Sequence, residues 1–308
     1  VDVASEAVTA SGELDAQITV PVAATQPLFS LIVSTLGRGA PLRRLFLSLE
    51  SQRETRFEVI VVDQNDDAGL VGAAISGSWR FPVRHLHRPG MRGLSRGRNA
   101  GIAHAAGELL VFPDDDCWYP ADFLSRALGL VARHDVALIC GRAADETGRS
   151  INGRFETASQ ALTRANVWTT SIEWVQVYRT AALRAVGGYD EDIGIGASTP
   201  WQAAEGQDLA LRLLAAGYDG YYDPTFIGHH EELDTARPDA AMLRKMRAYG
   251  RGMGFVLRKN GYRLGAAKWI ARPLGGLVLA AMQMRPGRAR LFLQILRGRI
   301  EGYVGRGD

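Results

Sequence analysis

Two cysteines, Cys117 and Cys140, are all that 308 residues supply, too few for a disulfide framework or a cysteine-ligated zinc site. Free thiols of this kind suit cytosolic redox conditions and act as small buried fillers. Long apolar runs are also missing. The longest uncharged stretch near the C-terminus, Pro273 to Met284, has 12 residues, against the ~20 a membrane-spanning helix needs. Residues 1–27 have no basic n-region, no apolar h-region and no helical or strand period, so they read as a flexible or loosely attached arm rather than a signal peptide. Acids are scarce at one end only. From Arg237 onward there are 16 Lys and Arg against 3 Asp and Glu, whereas the preceding residues carry a net negative charge. An acidic body with a basic tail points to an anionic partner surface. No aromatic stacking pattern accompanies the basic charge, which argues against nucleic acid.

What is present is concentrated in Val111-Phe112-Pro113-Asp114-Asp115-Asp116-Cys117-Trp118. The apolar run Leu109–Phe112 reads as a strand that delivers three adjacent carboxylates to its C-terminal end. Such carboxylates repel one another, and a divalent cation removes the repulsion. Hard oxygen ligands suit Mg²⁺ or Mn²⁺ better than zinc. The carboxyl ends of strands in open α/β sheets are also where ligands bind. A solvated turn capping the helix that starts near Pro120 is the plainer alternative.

Upstream, residues 28–35 and 57–63 are short β-branched runs, as buried parallel strands should be. Residues 41–52 between them carry Leu42, Leu45, Phe46 and Leu49 at helical spacing behind Pro41. A helix near 68–76, a strand near 83–87 and a helix near 94–106 follow. This alternation predicts a doubly wound, mostly parallel sheet flanked by helices. The division expected is an arm over 1–27, a catalytic α/β domain over 28–236 and a basic helical appendage over 237–308.

Several stretches in order resemble family 2 glycosyltransferases with a GT-A fold. They are Val33-Ser34-Thr35, Val61-Val62-Asp63-Gln64-Asn65-Asp66, Gly93 through Ile102 with its Arg98-Asn99 pair, the acidic triplet, Gly187-Gly188-Tyr189-Asp190, and Glu205 through Arg212. The resemblance implies an inverting, metal-dependent hexosyltransferase. Its donor would be a nucleotide-diphosphate sugar, with UDP-sugars favoured, and its acceptor a saccharide or lipid-linked molecule in surface polysaccharide or glycolipid synthesis. It implies a cytoplasmic enzyme, peripheral at the inner face of the plasma membrane.

The resemblance also assigns roles. Thr35 and Asp63, at adjacent strand ends, would hold the nucleoside, and Arg98, Asn99 and the nearby Arg96 the nucleotide or diphosphate. Asp114-x-Asp116 matches the family's Asp-x-Asp motif, Asp116 binding metal and Asp114 the ribose or, at the metal site, a metal-bound water. Asp115 would point to the other face by strand alternation and support the donor site. His229 and His230, after a strand near 221–222, would complete the metal shell or donate to a phosphate.

The base is sought in Glu205-Gly206-Gln207-Asp208, where glycine stands in place of the family's usual aspartate. Glu205 or Asp208 could take the acceptor's proton, and Asp208 could instead orient Arg212 one helical turn on. Trp201 offers a flat apolar face to a sugar ring or fills a core. In the tail, Leu291, Phe292, Ile295, Leu296 and Ile300 share one helix face, either for lying in an anionic membrane interface or for packing on the body. Two rival functions remain: a nucleotidyltransferase, for which Thr35-Leu36-Gly37-Arg38-Gly39 is a faint phosphate loop, and a non-catalytic nucleotide-sugar-binding protein that lost its base at Gly206.

Overall fold

Seven consecutive buried residues in each of two strands, β3 (Phe29–Thr35) and β4 (Phe57–Asp63), form the centre of one large sheet. The computed structural model describes residues 6–8, 14–18 and 26–306. The remaining strands are β1 (Glu6–Val8), β2 (Leu14–Ile18), β5 (Val83–His87), β6 (Leu109–Val111), β7 (Cys117–Trp118), β8 (Leu138–Ala144), β9 (Gln160–Ala161), β10 (Gln176–Arg179) and β11 (Gly220–His230). The order across the sheet is β1-β2-β5-β4-β3-β6-β10-β8-β11-β7, with β9 paired to β11. β5, β4, β3 and β6 run parallel, as the strand–helix alternation predicts. β10 then enters antiparallel between β6 and β8, which makes the sheet mixed. The arm over 1–27, read as free of strand period, contributes β1 and β2, and β2 pairs antiparallel with β5. Residues 1–5, 9–13 and 19–25 of that arm lie outside the described residues.

Ten helices accompany the sheet among the described residues: α1 (Ala40–Glu50), α2 (Gly69–Ile75), α3 (Leu94–His104), α4 (Phe123–His134), α5 (Thr180–Ala185), α6 (Glu205–Ala215), α7 (Ala240–Lys259), α8 (Leu264–Ala271), α9 (Pro273–Met282) and α10 (Pro286–Val304). No helix among the described residues is long and apolar enough to cross a membrane.

The two faces of the sheet follow from the period of two. Phe29, Leu31 and Val33 join Leu42, Leu45 and Phe46 of α1 and Phe123, Leu124 and Ala127 of α4 in one apolar core. Ile32 and Ser34 point the other way, toward α3. A Cβ on Gly101 would lie 2.3 Å from Ile32 Cγ2, so only glycine lets the helix come this close.

The chain divides into two compact units. One comprises 1–92, 96–188 and 213–232 and holds the whole sheet. The other comprises 93–95, 189–212 and 233–308. This division is not the expected cut at 236, because residues 189–212 belong with the C-terminal helices.

Within the second unit, α7 and α10 cross with almost no side-chain spacer. A Cβ on Gly250, Gly254, Gly298 or Gly302 would approach backbone of the facing helix within 2.6 Å or less. Glu301 lies at that crossing and accepts from Arg251 Nε at 2.7 Å and Arg247 Nε at 3.0 Å. The stripe expected on α10 is largely packing: Leu291 is buried, and the Phe292 ring lies on Gly276 of α9.

Candidate active site

The strand that carries the acidic triplet stops at Val111. The chain turns, with Cys117 N–H donating to the Asp114 carbonyl at 3.2 Å, and β7 then pairs with the end of β11. Because the carboxylates sit in a turn, strand alternation does not apply to them, and Asp115 is not turned away. It accepts from Thr35 Oγ1 at 2.7 Å and from Arg38 Nη1 at 3.1 Å. The β7–β11 register sets His230 opposite Cys117 and brings His230 Nε2 to 3.0 Å from Asp116 Oδ1. Arg38 also bonds Asp116.

Arg98 is fully buried on α3. Its Nη2 reaches Asp114 Oδ1 at 3.0 Å, and its other terminal nitrogen pairs with Glu173. Burial pushes the Asp114 carboxyl up to about 7, with Glu173 and Asp116 adding to the rise against Arg98. Burial also raises Asp115. At Asp116 burial works the same way but is outweighed by His230 and Arg38, which hold its carboxyl below the usual range. Burial opposes the charge on His230, yet its pKa is raised, because Nε2 faces Asp116 and Nδ1 faces the Glu231 carbonyl at 2.8 Å.

Asp114, Asp116 and His230 each offer a ligand atom, and all three atoms lie within 4.8 Å of one another. Two carboxylates and one imidazole form a hard, oxygen-rich donor set that fits Mg²⁺ or Mn²⁺. His229 is a correction to the expected histidine pair. Neighbouring strand residues face opposite ways, and His229 Nδ1 is bonded to the Ala144 carbonyl at 3.1 Å, with its ring against Trp118.

At the neighbouring strand ends, Asp63 is fully buried. Its Oδ1 accepts from Asn65 N and Nδ2 at 3.0 and 2.7 Å, and its Oδ2 lies 3.0 Å from His85 Nε2. Burial disfavours its charge, but His85 and Asn65 prevail and lower its pKa. Asp63 therefore shapes the turn through Asn65, with both oxygens already engaged. Arg96 is exposed. Asn99 lines an open hollow with Ile102, Arg184 and Gly188 that contains none of the acids.

In the other unit, Glu205 is the first residue of α6 and is buried. Asp208 is fully buried and saturated. Its Oδ2 accepts from Arg212 Nε at 2.9 Å and Lys259 Nζ at 2.7 Å, and its Oδ1 from Asn260 Nδ2 at 3.0 Å. Trp201 stacks on Phe255 at 4.6 Å and 6°, which covers one ring face and leaves the residue half-buried.

Arg38, Glu173 and His85 were not singled out as site residues from sequence. Arg38 had a signal, since a Gly-Arg-Gly turn directly after a strand is a phosphate-loop feature. Glu173 follows an irregular stretch with no local pattern, and only the fold carries it to Arg98.

A mixed α/β sheet with a carboxylate–imidazole cluster at its edge has the GT-A fold. The chain belongs to glycosyl transferase family 2, whose model matches residues 30–184. It is 26% identical over 212 residues to the pre-mycofactocin glycosyltransferase of Mycobacterium tuberculosis, covering 66% of this chain and 42% of that protein. It is also 26% identical over 238 residues to glycosyltransferase AglE of Haloferax volcanii, covering 74% and 73%. The chain thus spans under half the length of the first of these relatives. Among solved structures, the fold matches the Pyrobaculum calidifontis mannosyltransferase PcManGT in complex with GDP-Man and Mn²⁺. That match has a TM-score of 0.61 and 16% identity, and covers 90% of this chain and 87% of the other. Staphylococcus aureus TarS 1-349 with UDP-GlcNAc matches with a TM-score of 0.52 and 17% identity, covering 90% and 92%.

Proposed function

We propose that this protein is an inverting, metal-dependent glycosyltransferase. It moves a hexose from a nucleotide-diphosphate donor, UDP-sugars favoured, to a saccharide or lipid-linked acceptor at the cytoplasmic face of the plasma membrane. The observation that carries the reading is the Asp114, Asp116 and His230 cluster at the sheet edge. The nucleotide sugars named for PcManGT and TarS support the donor class.

Asp114, Asp116 and His230 would hold Mg²⁺ or Mn²⁺, which supplies Lewis-acid stabilisation of the departing diphosphate. Arg98 fixes Asp114, and Thr35 fixes Asp115. Arg38 is the cation available to a phosphate once the acids engage metal. Glu205 accepts the acceptor's hydroxyl proton as the oxygen attacks the anomeric carbon. The bond from that carbon to the phosphate oxygen breaks, its electron pair stays on the diphosphate, and a single displacement inverts the centre. Asp208, with both oxygens engaged, is a positioning residue rather than the base.

Calorimetry with UDP and Mn²⁺ tests the site. Asp116→Asn should lose metal-dependent nucleotide binding and transfer together, and unchanged affinity in the variant overturns the metal assignment.

A further inference from the structure

Within the C-terminal unit, α9 has its large and small residues inverted relative to a surface helix. Its sequence, Pro-Leu-Gly-Gly-Leu-Val-Leu-Ala-Ala-Met, contains no polar side chain. Pro273 and Ala280 are buried and Gly276 lies under Phe292, so the inward face is built from small residues. Leu274, Val278 and Met282, spaced by four, face outward and are exposed together with Leu279. The outward stripe continues into Met284 at 88% exposure, and Leu264, which opens α8, is 95% exposed. A soluble helix places its large apolar residues inward and polar ones outward, and a contiguous exposed apolar face of this kind marks an interaction surface.

The charges around it identify the partner. Arg272 precedes α9, Arg285 follows it, and both are exposed, as are Arg263, Lys268 and Arg290 nearby. No aspartate or glutamate occurs between Asp239 and Glu301. Arginine stems can lie along apolar surface while their heads reach an anionic layer. An apolar stripe bracketed by cations, on a helix too short to span, has the make-up of an interfacial helix.

We propose that α9, with Met284 just past its C-terminal end, docks in the headgroup–acyl boundary of an anionic phospholipid bilayer. This rests on the membrane-borne acceptor proposed above and names the surface that would bring the enzyme to it. It replaces the stripe on α10, of which Leu291 is buried and Ile300 alone is exposed.

The test is co-sedimentation of the full chain with vesicles of phosphatidylcholine alone or with phosphatidylglycerol added. The wild type should pellet with the anionic vesicles, weakly with the neutral ones, and less as salt rises. Arg272→Gln/Arg285→Gln should weaken anionic binding by about 25-fold, about fivefold per charge. Val278→Glu/Met282→Glu should lose at least about tenfold on both vesicle types. These side chains are exposed, so wild-type melting curves are expected and check that the fold is kept. Wild-type-like binding by Val278→Glu/Met282→Glu overturns the assignment of α9. So does a wild-type dimer that this variant converts to monomer, because a second copy would then cover the face. Absence of vesicle binding by the wild type, with metal-dependent UDP release intact, overturns membrane docking and leaves the transferase reading standing.

Discussion

Replacing Asp208 by asparagine separates a positioning acid from a catalytic one. The carboxylate is fully buried and takes three donors: Arg212 Nε at 2.9 Å, Lys259 Nζ at 2.7 Å and Asn260 Nδ2 at 3.0 Å. Asparagine keeps the shape but removes the charge and turns one oxygen into a donor, which must then face another donor. Removing one partner of a buried ion pair costs about 3–5 kcal/mol. The low end applies here, for two reasons. Arg212 and Lys259 are about a quarter exposed, and Lys259 retains Asp190 at 2.7 Å. A loss of about 3 kcal/mol corresponds to a Tm lowered by about 6–12 °C, at about 2–4 °C per kcal/mol for a domain of 150–250 residues. Differential scanning calorimetry measures that fall. Turnover assayed well below the melting temperature should persist. Glu205→Gln should instead lose about 10²–10⁴ in kcat with donor affinity kept. An Asp208→Asn protein with wild-type Tm and no turnover would refute the reasoning, since Asp208 would then be the base.

The two histidines should part company: His230→Gln should weaken Mn²⁺ binding by calorimetry, while His229→Gln should leave it unchanged, and equal losses would count against the single-histidine cluster. Gly298→Val should destabilise the α7–α10 crossing by about 1–3 kcal/mol of overpacking, because its Cβ alone would meet the Arg247 carbonyl oxygen at 2.1 Å; an unchanged urea midpoint would argue against so close a crossing. Asp63 has a depressed pKa, so its contribution to stability is full above the ordinary carboxylate value of about 3.9 and is lost as pH falls through its lower folded value. Asp63→Asn should therefore flatten the fall in urea midpoint below about pH 4, and parallel curves for the two proteins would remove the His85–Asp63 contact from the account.

The parallel half of the sheet was legible because its signals are local. Runs such as Leu31-Ile32-Val33 and Val59-Ile60-Val61-Val62 declare buried strands, and the spacing of Leu42, Leu45, Phe46 and Leu49 declares the helix between them. The acidic triplet was equally plain, since adjacent like charges repel and must be met by partners. Those are properties of neighbours in the chain, and the sequence by itself determined them.

The partner of each carboxylate was decided only in three dimensions. Antiparallel pairing of β7 with the end of β11 selects His230 and turns His229 away. The turn after Val111 returns Asp115 to Thr35. Insertion of β10 beside β6 belongs to the sheet order, as does the meeting of Glu173 with Arg98. The fate of the apolar tail was likewise tertiary. Helical spacing marked Leu291, Phe292 and Ile295 as one face but could not say what covers it. Once α7, α9 and α10 pack, that face is largely consumed, and the exposed apolar surface falls on α9 instead. Periodicity reports which side chains share a side, whereas burial depends on which helices meet, and that is set by contacts between residues far apart in the chain.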